Sequence, residues 1–163
     1  MKIIQRNVSQ EEDVWPHWCY VQDNIRDPLL NYDLIWHLCE IEEKDLDQLF
    51  IISSGDWWDI SGNTFLVRDV VNCLNNKTNN PDTKGTIKNI KEDKIKIIES
   101  GGDFRTKPIT VTNCPDLGGP FTLVDGNKRS VALCKCNKLV GYQIFVGTSP
   151  CIRYYRWAEN SFK

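Results

Sequence analysis

The stretch FTLVDGNKRSVAL, residues 121–133, carries the clearest structural signal in this chain. A run of β-branched and apolar residues ends at Asp125-Gly126, and a helix-like run with apolar Val131 and Leu133 follows directly. A strand that ends at a glycine and opens a helix leaves several backbone N–H groups unpaired, pointing toward one spot. The helix dipole adds partial positive charge there, so the turn predicts a binding site for an anion such as phosphate.

Four residues of this turn are the predicted ligand-binding residues: Gly126, Asn127, Lys128 and Arg129. The helix dipole disfavours cations in a first helical turn unless an anionic partner is present, so the lysine and the arginine strengthen the prediction. The pattern leaves an alternative open, which is an ordinary strand–helix turn with two solvated cations. Asp125 is expected to cap the helix, because a short acid before a helix start usually does so.

The elements around the turn predict an α/β (or α+β) fold. Lysines and glutamates alternate with isoleucines over residues 87–100, which is typical of an amphipathic helix, and Gly101-Gly102 ends it. The order that follows is strand, strand, helix, strand, with the strands expected at residues 108–112, 121–124 and 142–146 and the helix from about residue 127. We therefore expect a core over residues 86–150.

The first half of the chain, residues 1–75, is aromatic and acidic, and we predict it to be mostly helical. The whole chain, residues 1–163, is expected to form a single domain, because this length can bury one core. The polar, breaker-rich run over residues 76–85 predicts a connecting loop. Apolar residues recur at helical spacing over residues 32–38, 44–52 and 66–74, so each is predicted to be a helix. A loop is predicted at residues 54–62.

The composition excludes several classes of protein. The 163 residues are 40% hydrophobic and 26% charged with a net charge of −2, so we expect no wholesale binding of DNA, which needs a basic excess. The longest apolar runs are too short to span a bilayer, and the N-terminus shows no secretory signal. Seven irregularly spaced cysteines indicate reduced thiols in the cytoplasm, without a zinc motif, so no metal-binding residue is predicted.

Two motifs together resemble the ParB/sulfiredoxin superfamily: PITV at residues 108–111 and DGNKR at residues 125–129, within a match over roughly residues 90–147. The resemblance implies a ParB/sulfiredoxin-like core with a phosphate site at the start of the helix. In the serine kinases of the superfamily a glutamate on the preceding helix acts as the base. This implies Glu99 as a catalytic residue, with Asp125 as the second candidate.

The resemblance does not carry over two of the superfamily's chemistries. Asn127 stands where sulfiredoxins have their reactive cysteine and where the partition proteins have a glutamate. The turn also has a weaker similarity to Fic/Doc enzymes, which transfer nucleotidyl or phosphoryl groups. Here Gly119 replaces their catalytic histidine, and the only histidines, His17 and His37, lie far upstream.

The predicted function is binding of a phosphorylated small molecule or a nucleotide (ATP, ADP or CTP, with Mg²⁺ as a further candidate). Phosphate hydrolysis or phosphoryl transfer is a reaction that such a site could support. A second hypothesis is a non-catalytic protein-interaction or regulatory module that uses an aromatic surface, formed by Trp15, Trp18, Trp57 and Trp58. Further alternatives are a nuclease, which needs a carboxylate cluster for metal, and a degenerate Fic-like protein.

Overall fold

The computed structural model describes residues 1–18, 23–75 and 79–162. Its strands form one mixed sheet with helices packed against it, so the fold is α/β as predicted. The strands are β1 (Lys2–Gln5), β2 (Ile35–Glu40), β3 (Leu49–Phe50), β4 (Ile109–Thr112), β5 (Phe121–Asp125) and β6 (Gln143–Thr148). They lie in the order β1-β2-β6-β4-β5-β3, in which the β4–β6 and β3–β5 pairs are parallel and the others antiparallel.

The α-helices are α1 (Asp23–Leu29), α2 (Gly55–Ser61), α3 (Val67–Cys73), α4 (Pro81–Lys88), α5 (Lys96–Glu99) and α6 (Asn127–Lys135). A π-helical segment, Asn89–Ile95, joins α4 to α5 and makes one helical stretch from residue 81 to residue 99. Short 3-10 or π-helical segments are Gln10–Val14, Trp15–His17, Glu43–Gln48, Ile152–Tyr154 and Arg156–Phe162. In the described parts of the chain, no helix combines the length and the apolar character that crossing a membrane requires.

The second half of the chain follows the prediction closely. The strands β4, β5 and β6 begin and end within about two residues of the expected positions, and α6 begins at Asn127 as expected. All four residues of β4 are buried, because the strand lies in the middle of the sheet between β5 and β6. This arrangement places the end of β5 and the start of α6 beside the start of β4.

The first half contains several helical segments, but two of its predicted helices were wrong. It contributes β1, β2 and β3 to the sheet. A helix was expected over residues 32–38, but residues 35–40 form β2 and pair along their whole length with β6. Residues 44–52, also expected to be helical, form a 3-10 helix and then β3. The spacing of apolar residues in runs this short fits a helix and a strand equally well. Pairing with the neighbouring strands of the sheet decides which of the two forms.

Two further local predictions were wrong. Residues 55–61 form the helix α2 rather than a loop. Residues 76–78 of the predicted connecting loop lie outside the described residues, and the loop does not extend to residue 85, because α4 begins at Pro81. The Asn80 side chain accepts a hydrogen bond from the Asp82 N–H at 3.0 Å, and proline is favourable at a first helical position.

Both faces of the sheet are covered. Alternate residues of β6 point to opposite sides: Ile144 and Val146 pack with α3 and α6, whereas Phe145 packs in a second cluster with Val14 and Tyr155. The long helical stretch 81–99 packs against α6. The body of α6 therefore packs into the core, and its first turn lies at the surface beside the segments that carry α2 and α4.

Candidate functional site

The turn between β5 and α6 requires glycine at residue 126. Gly126 has φ of +81°, a left-handed conformation that side chains disfavour. A Cβ atom at Gly126 would also lie 2.9 Å from both Cα and Cβ of Pro108 and 3.1 Å from Nη2 of Arg129. The chain therefore enters α6 tightly against the start of β4.

The start of α6 has no side-chain cap. Asp125, expected to cap it, instead accepts a hydrogen bond from the Gly126 N–H through Oδ1 at 2.6 Å. The next backbone N–H groups, of Asn127, Lys128 and Arg129, therefore make no hydrogen bond to a capping side chain. These groups and the positive end of the helix dipole are the elements of an anion site.

This turn lines an open cleft of about 1190 Å³. The rest of its lining comes from the start of α2, the helical stretch between residues 81 and 94, and the segment 104–106, together with Ile25, Ile52 and Trp157. Four cationic residues line the cleft, Lys94, Arg105, Lys128 and Arg129, together with three acids, Asp56, Asp82 and Asp125. Ligand pockets typically measure about 300–1,000 Å³, so the cleft can hold a nucleotide-sized molecule.

Arg129 holds the turn in place. Its Nη2 lies 3.3 Å from Oδ2 of Asp125, and its Nη1 donates to the carbonyl oxygen of Thr106 at 3.2 Å. Only 12% of its side chain is exposed. Lys128, by contrast, forms no ion pair or side-chain hydrogen bond within the described ranges, so it is the cation of the turn that is available to an anion.

Asn127 also has a structural role. Its Oδ1 accepts a hydrogen bond from the Ile52 N–H at 3.0 Å. This bond fastens the segment between β3 and α2 to the first residue of α6. The amide oxygen is therefore already used, and Asn127 contributes its backbone N–H to the site.

Glu99 does not lie at this site. Its exposed side chain lines a separate groove of about 370 Å³, together with Lys135 and Cys136. Cys136 follows the last residue of α6, whereas the turn lies before the first, and nine residues of α-helix span about 14 Å. Burial and the Glu99 carboxylate raise the pKa of the Cys136 thiol, which agrees with this placement. The structure therefore brings together five of the six predicted site residues and leaves out Glu99.

The fold brings in Asp56, which the sequence did not single out as a site residue. Its carboxylate accepts hydrogen bonds from the hydroxyls of Ser54 and of Thr86, and it lines the cleft. The sequence does not reveal it, because one of its two partners, Thr86, lies on α4, 30 positions further along the chain. The one feature of the sequence that could have indicated Asp56 is its position in the polar segment 54–62, which also contains two tryptophans.

His17 lies close to the back of the turn. Its Nδ1 accepts a hydrogen bond from the Lys107 N–H at 3.0 Å. Burial, and then the cations of Lys107 and Arg129, lower the pKa of His17 below its ordinary value of 6.5, while Asp13 opposes them. The imidazole is therefore neutral at pH 7, with its proton on Nε2. His17 does not line the cleft.

The donor groups decide which cofactors the cleft could hold. Among the described residues, no group of three or more His, Cys, Asp or Glu side chains is arranged to hold a metal ion. Mg²⁺ does not need such a group, because proteins usually bind it through one or two carboxylates, waters and the phosphates of a substrate. The acids of the cleft and its uncapped helix fit a magnesium-bound phosphate compound.

Comparison of the chain with protein-family models, with curated proteins and with solved structures finds no match. The resemblance to the ParB/sulfiredoxin superfamily therefore stays a prediction that rests on the motifs at residues 108–111 and 125–129.

Proposed function

We propose that this protein binds a phosphorylated small molecule or a nucleotide at the start of α6. The observation that carries the proposal is the uncapped first turn of α6, which opens into a cleft where Lys128 forms no ion pair with a described residue. Phosphate is the common biological group whose oxygens can accept several backbone N–H groups and a lysine together.

The cleft offers more than a phosphate site, which favours a nucleotide over a bare phosphate ion. Its lining includes the aromatic rings of Phe104 and Trp157. The Trp157 ring is held by a hydrogen bond from its Nε1 to the Asn24 carbonyl at 3.0 Å. Aromatic rings of this kind can stack on a base. ATP, ADP and CTP are therefore the first ligands to test.

The roles of the turn residues differ in this proposal from those that the motif implied. Lys128 and the backbone of residues 127–129 contact the anion. Asp125 and Arg129 are positioning residues, because each is engaged by the other. Glu99 has no part in the site, so hydrolysis or phosphoryl transfer would need another carboxylate.

Thermal unfolding with and without nucleotides tests the proposal, because a ligand that binds only the folded state raises the melting temperature. We expect at least one of ATP, ADP, CTP and GTP to stabilise the wild-type protein. The variant Lys128→Ala should lose about 1.5–3 kcal/mol of binding free energy, the usual contribution of a hydrogen bond to a charged group. Lys135→Ala, at the other end of α6, is the matched control and should bind as the wild type does.

A wild-type protein that no nucleotide stabilises would contradict the nucleotide proposal. A shift that Lys128→Ala and Lys135→Ala reduce equally would place the anion elsewhere. Either result would direct attention to the second candidate function, a protein-interaction module, which pull-down with the intact protein would test.

The structure does not favour the second candidate in its predicted form. Trp57 is only 3% exposed and belongs to the core. Trp18 is half-buried and packs edge-on against Trp36. Trp15 and Trp58 are 40% and 50% exposed, respectively, but they belong to separate parts of the fold. The four tryptophans therefore do not form one continuous surface.

The remaining alternatives gain no support either. A nuclease would need a cluster of carboxylates for its metal ions, and the described residues contain none. A Fic-like transfer would need a histidine at the anion, and neither His17 nor His37 lines the cleft. A cytoplasmic location, and a partner other than DNA, remain part of the same proposal on the basis of the composition.

A further inference from the structure

We propose that phosphate binding at the start of α6 depends on pH, and that His17 is the positioning residue behind this dependence. The neutral imidazole holds the backbone before β4 against the turn, and protonation of the imidazole releases it. This inference deepens the proposed function and rests on it for the bound phosphate. It gives a role to a histidine that lies behind the turn and does not line the cleft.

One peptide group links His17 to the turn. The peptide group between Thr106 and Lys107 carries the Lys107 N–H, which donates to Nδ1 of His17 at 3.0 Å. The carbonyl oxygen of the same group belongs to Thr106 and accepts a hydrogen bond from Nη1 of Arg129 at 3.2 Å. A peptide group is planar and rigid, so its N–H cannot turn without moving its C=O. His17 and Arg129 therefore hold one rigid group from its two ends.

The same peptide group is connected to the contacts that shape the turn. Pro108, the next residue, lies so close that a Cβ atom at Gly126 would be 2.9 Å from its Cα and Cβ. Arg129 also donates from Nη2 to Oδ2 of Asp125 at 3.3 Å, and Oδ1 of Asp125 accepts a hydrogen bond from the Gly126 N–H at 2.6 Å. One chain of hydrogen bonds therefore runs from His17 to the residue that precedes α6. Hydrogen bonds in such a chain strengthen one another.

Protonation of His17 breaks this chain at its first bond. A neutral imidazole can accept a hydrogen bond at Nδ1, whereas an imidazolium carries a proton on each nitrogen and accepts none. The Lys107 N–H would then face another donor, so the peptide group would turn away from the imidazole. The Arg129 guanidinium would lose its carbonyl acceptor, and the turn would lose its support.

The surroundings of His17 set the pH range. Two cations face the imidazole, Lys107 from the segment before β4 and Arg129 from α6, and one carboxylate, Asp13, faces it from the N-terminal helical segment. Phe145 of β6 packs against it with the ring centroids 5.1 Å apart and carries no charge. Burial and the two cations lower the pKa of His17 below 6.5, against the effect of Asp13. Phosphate binding should therefore be complete above pH 6.5 and decline as the pH falls through the folded pKa.

The expected direction is opposite to that of electrostatic attraction alone. An imidazolium near a bound anion attracts it, so charge by itself would strengthen binding at acid pH. Because His17 does not line the cleft, we expect the lost support of the turn to outweigh this attraction. If binding requires the neutral imidazole, the apparent affinity falls with the neutral fraction, by up to about tenfold for each pH unit below the folded pKa.

Sulfate binding followed by NMR tests the proposal. Sulfate stands in for the phosphate group and keeps both charges between about pH 7.5 and pH 5, whereas a phosphate ester takes up a proton near pH 6. The backbone amide signals of residues 127–129 should shift with sulfate at the higher pH, and sodium chloride at matched ionic strength should not shift them. In the wild type the dissociation constant for sulfate should rise at least about fivefold at the lower pH.

Two variants of His17 separate its acceptor from its charge. His17→Asn places an oxygen at the position of Nδ1, the same number of bonds from the backbone, and cannot be protonated. It should bind sulfate as the wild type does at the higher pH and keep that affinity at the lower pH. His17→Ala has no acceptor at any pH, so it should bind sulfate weakly at both.

The two histidines of the chain give an independent readout, because their imidazole C–H signals report the pKa of each in the same titration. By linkage, an anion that binds better to the neutral form must lower the pKa of His17. The pKa of His37, which lies in β2 and does not line the cleft, should stay unchanged and is the internal control. A purely electrostatic effect of sulfate would raise the pKa of His17, and a merely structural role would leave it unchanged.

The outcomes separate this inference from the proposed function. A wild-type affinity for sulfate that stays constant or rises toward the lower pH would overturn the inference and leave the anion site standing. An equal loss in His17→Asn, or a His17 pKa that sulfate does not lower, would do the same. If sulfate shifts no amide signal of residues 127–129 at the higher pH, the anion site of the proposed function is absent, and the inference fails with it.

Discussion

Replacing Gly126 with alanine tests whether the turn at the start of α6 is as tightly built as its geometry indicates. The new Cβ would lie 2.9 Å from both Cα and Cβ of Pro108, which are close to rigid because the proline leads into β4. It would also lie 3.1 Å from Nη2 of Arg129, which is already hydrogen-bonded. Neither neighbour can move away without disturbing a strand or an ion pair.

The expected loss of stability has two parts. A non-glycine residue in the left-handed conformation costs roughly 1–2 kcal/mol. Forcing an extra methyl group into a packed site costs typically about 1–3 kcal/mol. Alanine restricts the unfolded chain, which returns about 0.4–1 kcal/mol. The free energy of unfolding of Gly126→Ala should therefore fall by about 2–4 kcal/mol. For a protein of this size that lowers the melting temperature by roughly 5–15 °C.

Gly141→Ala separates the two parts. Gly141 has φ of +84°, close to that of Gly126, but an added Cβ would have no atom within 4 Å. It should lose only the conformational part, about 0.5–1.5 kcal/mol after the gain from the unfolded state. Chemical denaturation of the two variants measures the difference, which should be about 1–3 kcal/mol. Equal losses would show that the close approach to Pro108 does not constrain the turn, and our reasoning about it would be refuted.

Two further predictions concern the groups behind the turn. Arg129→Ala leaves the Asp125 carboxylate and a backbone carbonyl without their donor, so it should lower the free energy of unfolding by about 1–3 kcal/mol in urea titration, whereas no loss would mean that the pair is not formed. Since the pKa of His17 is lowered by burial, Lys107 and Arg129 and raised by Asp13, the unfolded chain binds more protons below pH 6.5. Stability should therefore be fully present above pH 6.5 and fall as the pH decreases through the folded pKa, by at most about 1.4 kcal/mol per pH unit, and His17→Asn should flatten this dependence in melting curves from pH 7.5 to 5.

The elements of the second half could be predicted because local pattern and tertiary environment agree there. The strand β5 is β-branched and apolar, Gly126 permits the left-handed turn, and α6 follows with apolar residues on its buried side. The first half gave no such agreement. Residues 35–40 became β2 because β1 and β6 pair with both of their edges, which no local spacing reveals.

The candidate site divides in the same way. The sequence placed residues 125–129 together, because contiguous residues at a strand–helix turn have little freedom to separate. It could not place Glu99, because the direction in which the helical stretch 81–99 crosses α6 decides which end of α6 Glu99 meets. Nor could it find Asp56, which lines the cleft, because the preceding segment is tied to α6 by a hydrogen bond between Ile52 and Asn127, 75 positions apart.

By itself, then, the sequence determined the α/β class, the second-half strands and the strand–helix turn at Gly126, since each depends on interactions between near neighbours in the chain. Only the tertiary structure decided which charges are free. It paired Arg129 with Asp125, left Lys128 without an ion pair to any described residue, and placed Asp56 in the lining of the same cleft. The physical reason is that a side chain's role depends on which partners lie within contact distance of it in the folded protein. Those partners come from elements that are distant in the sequence.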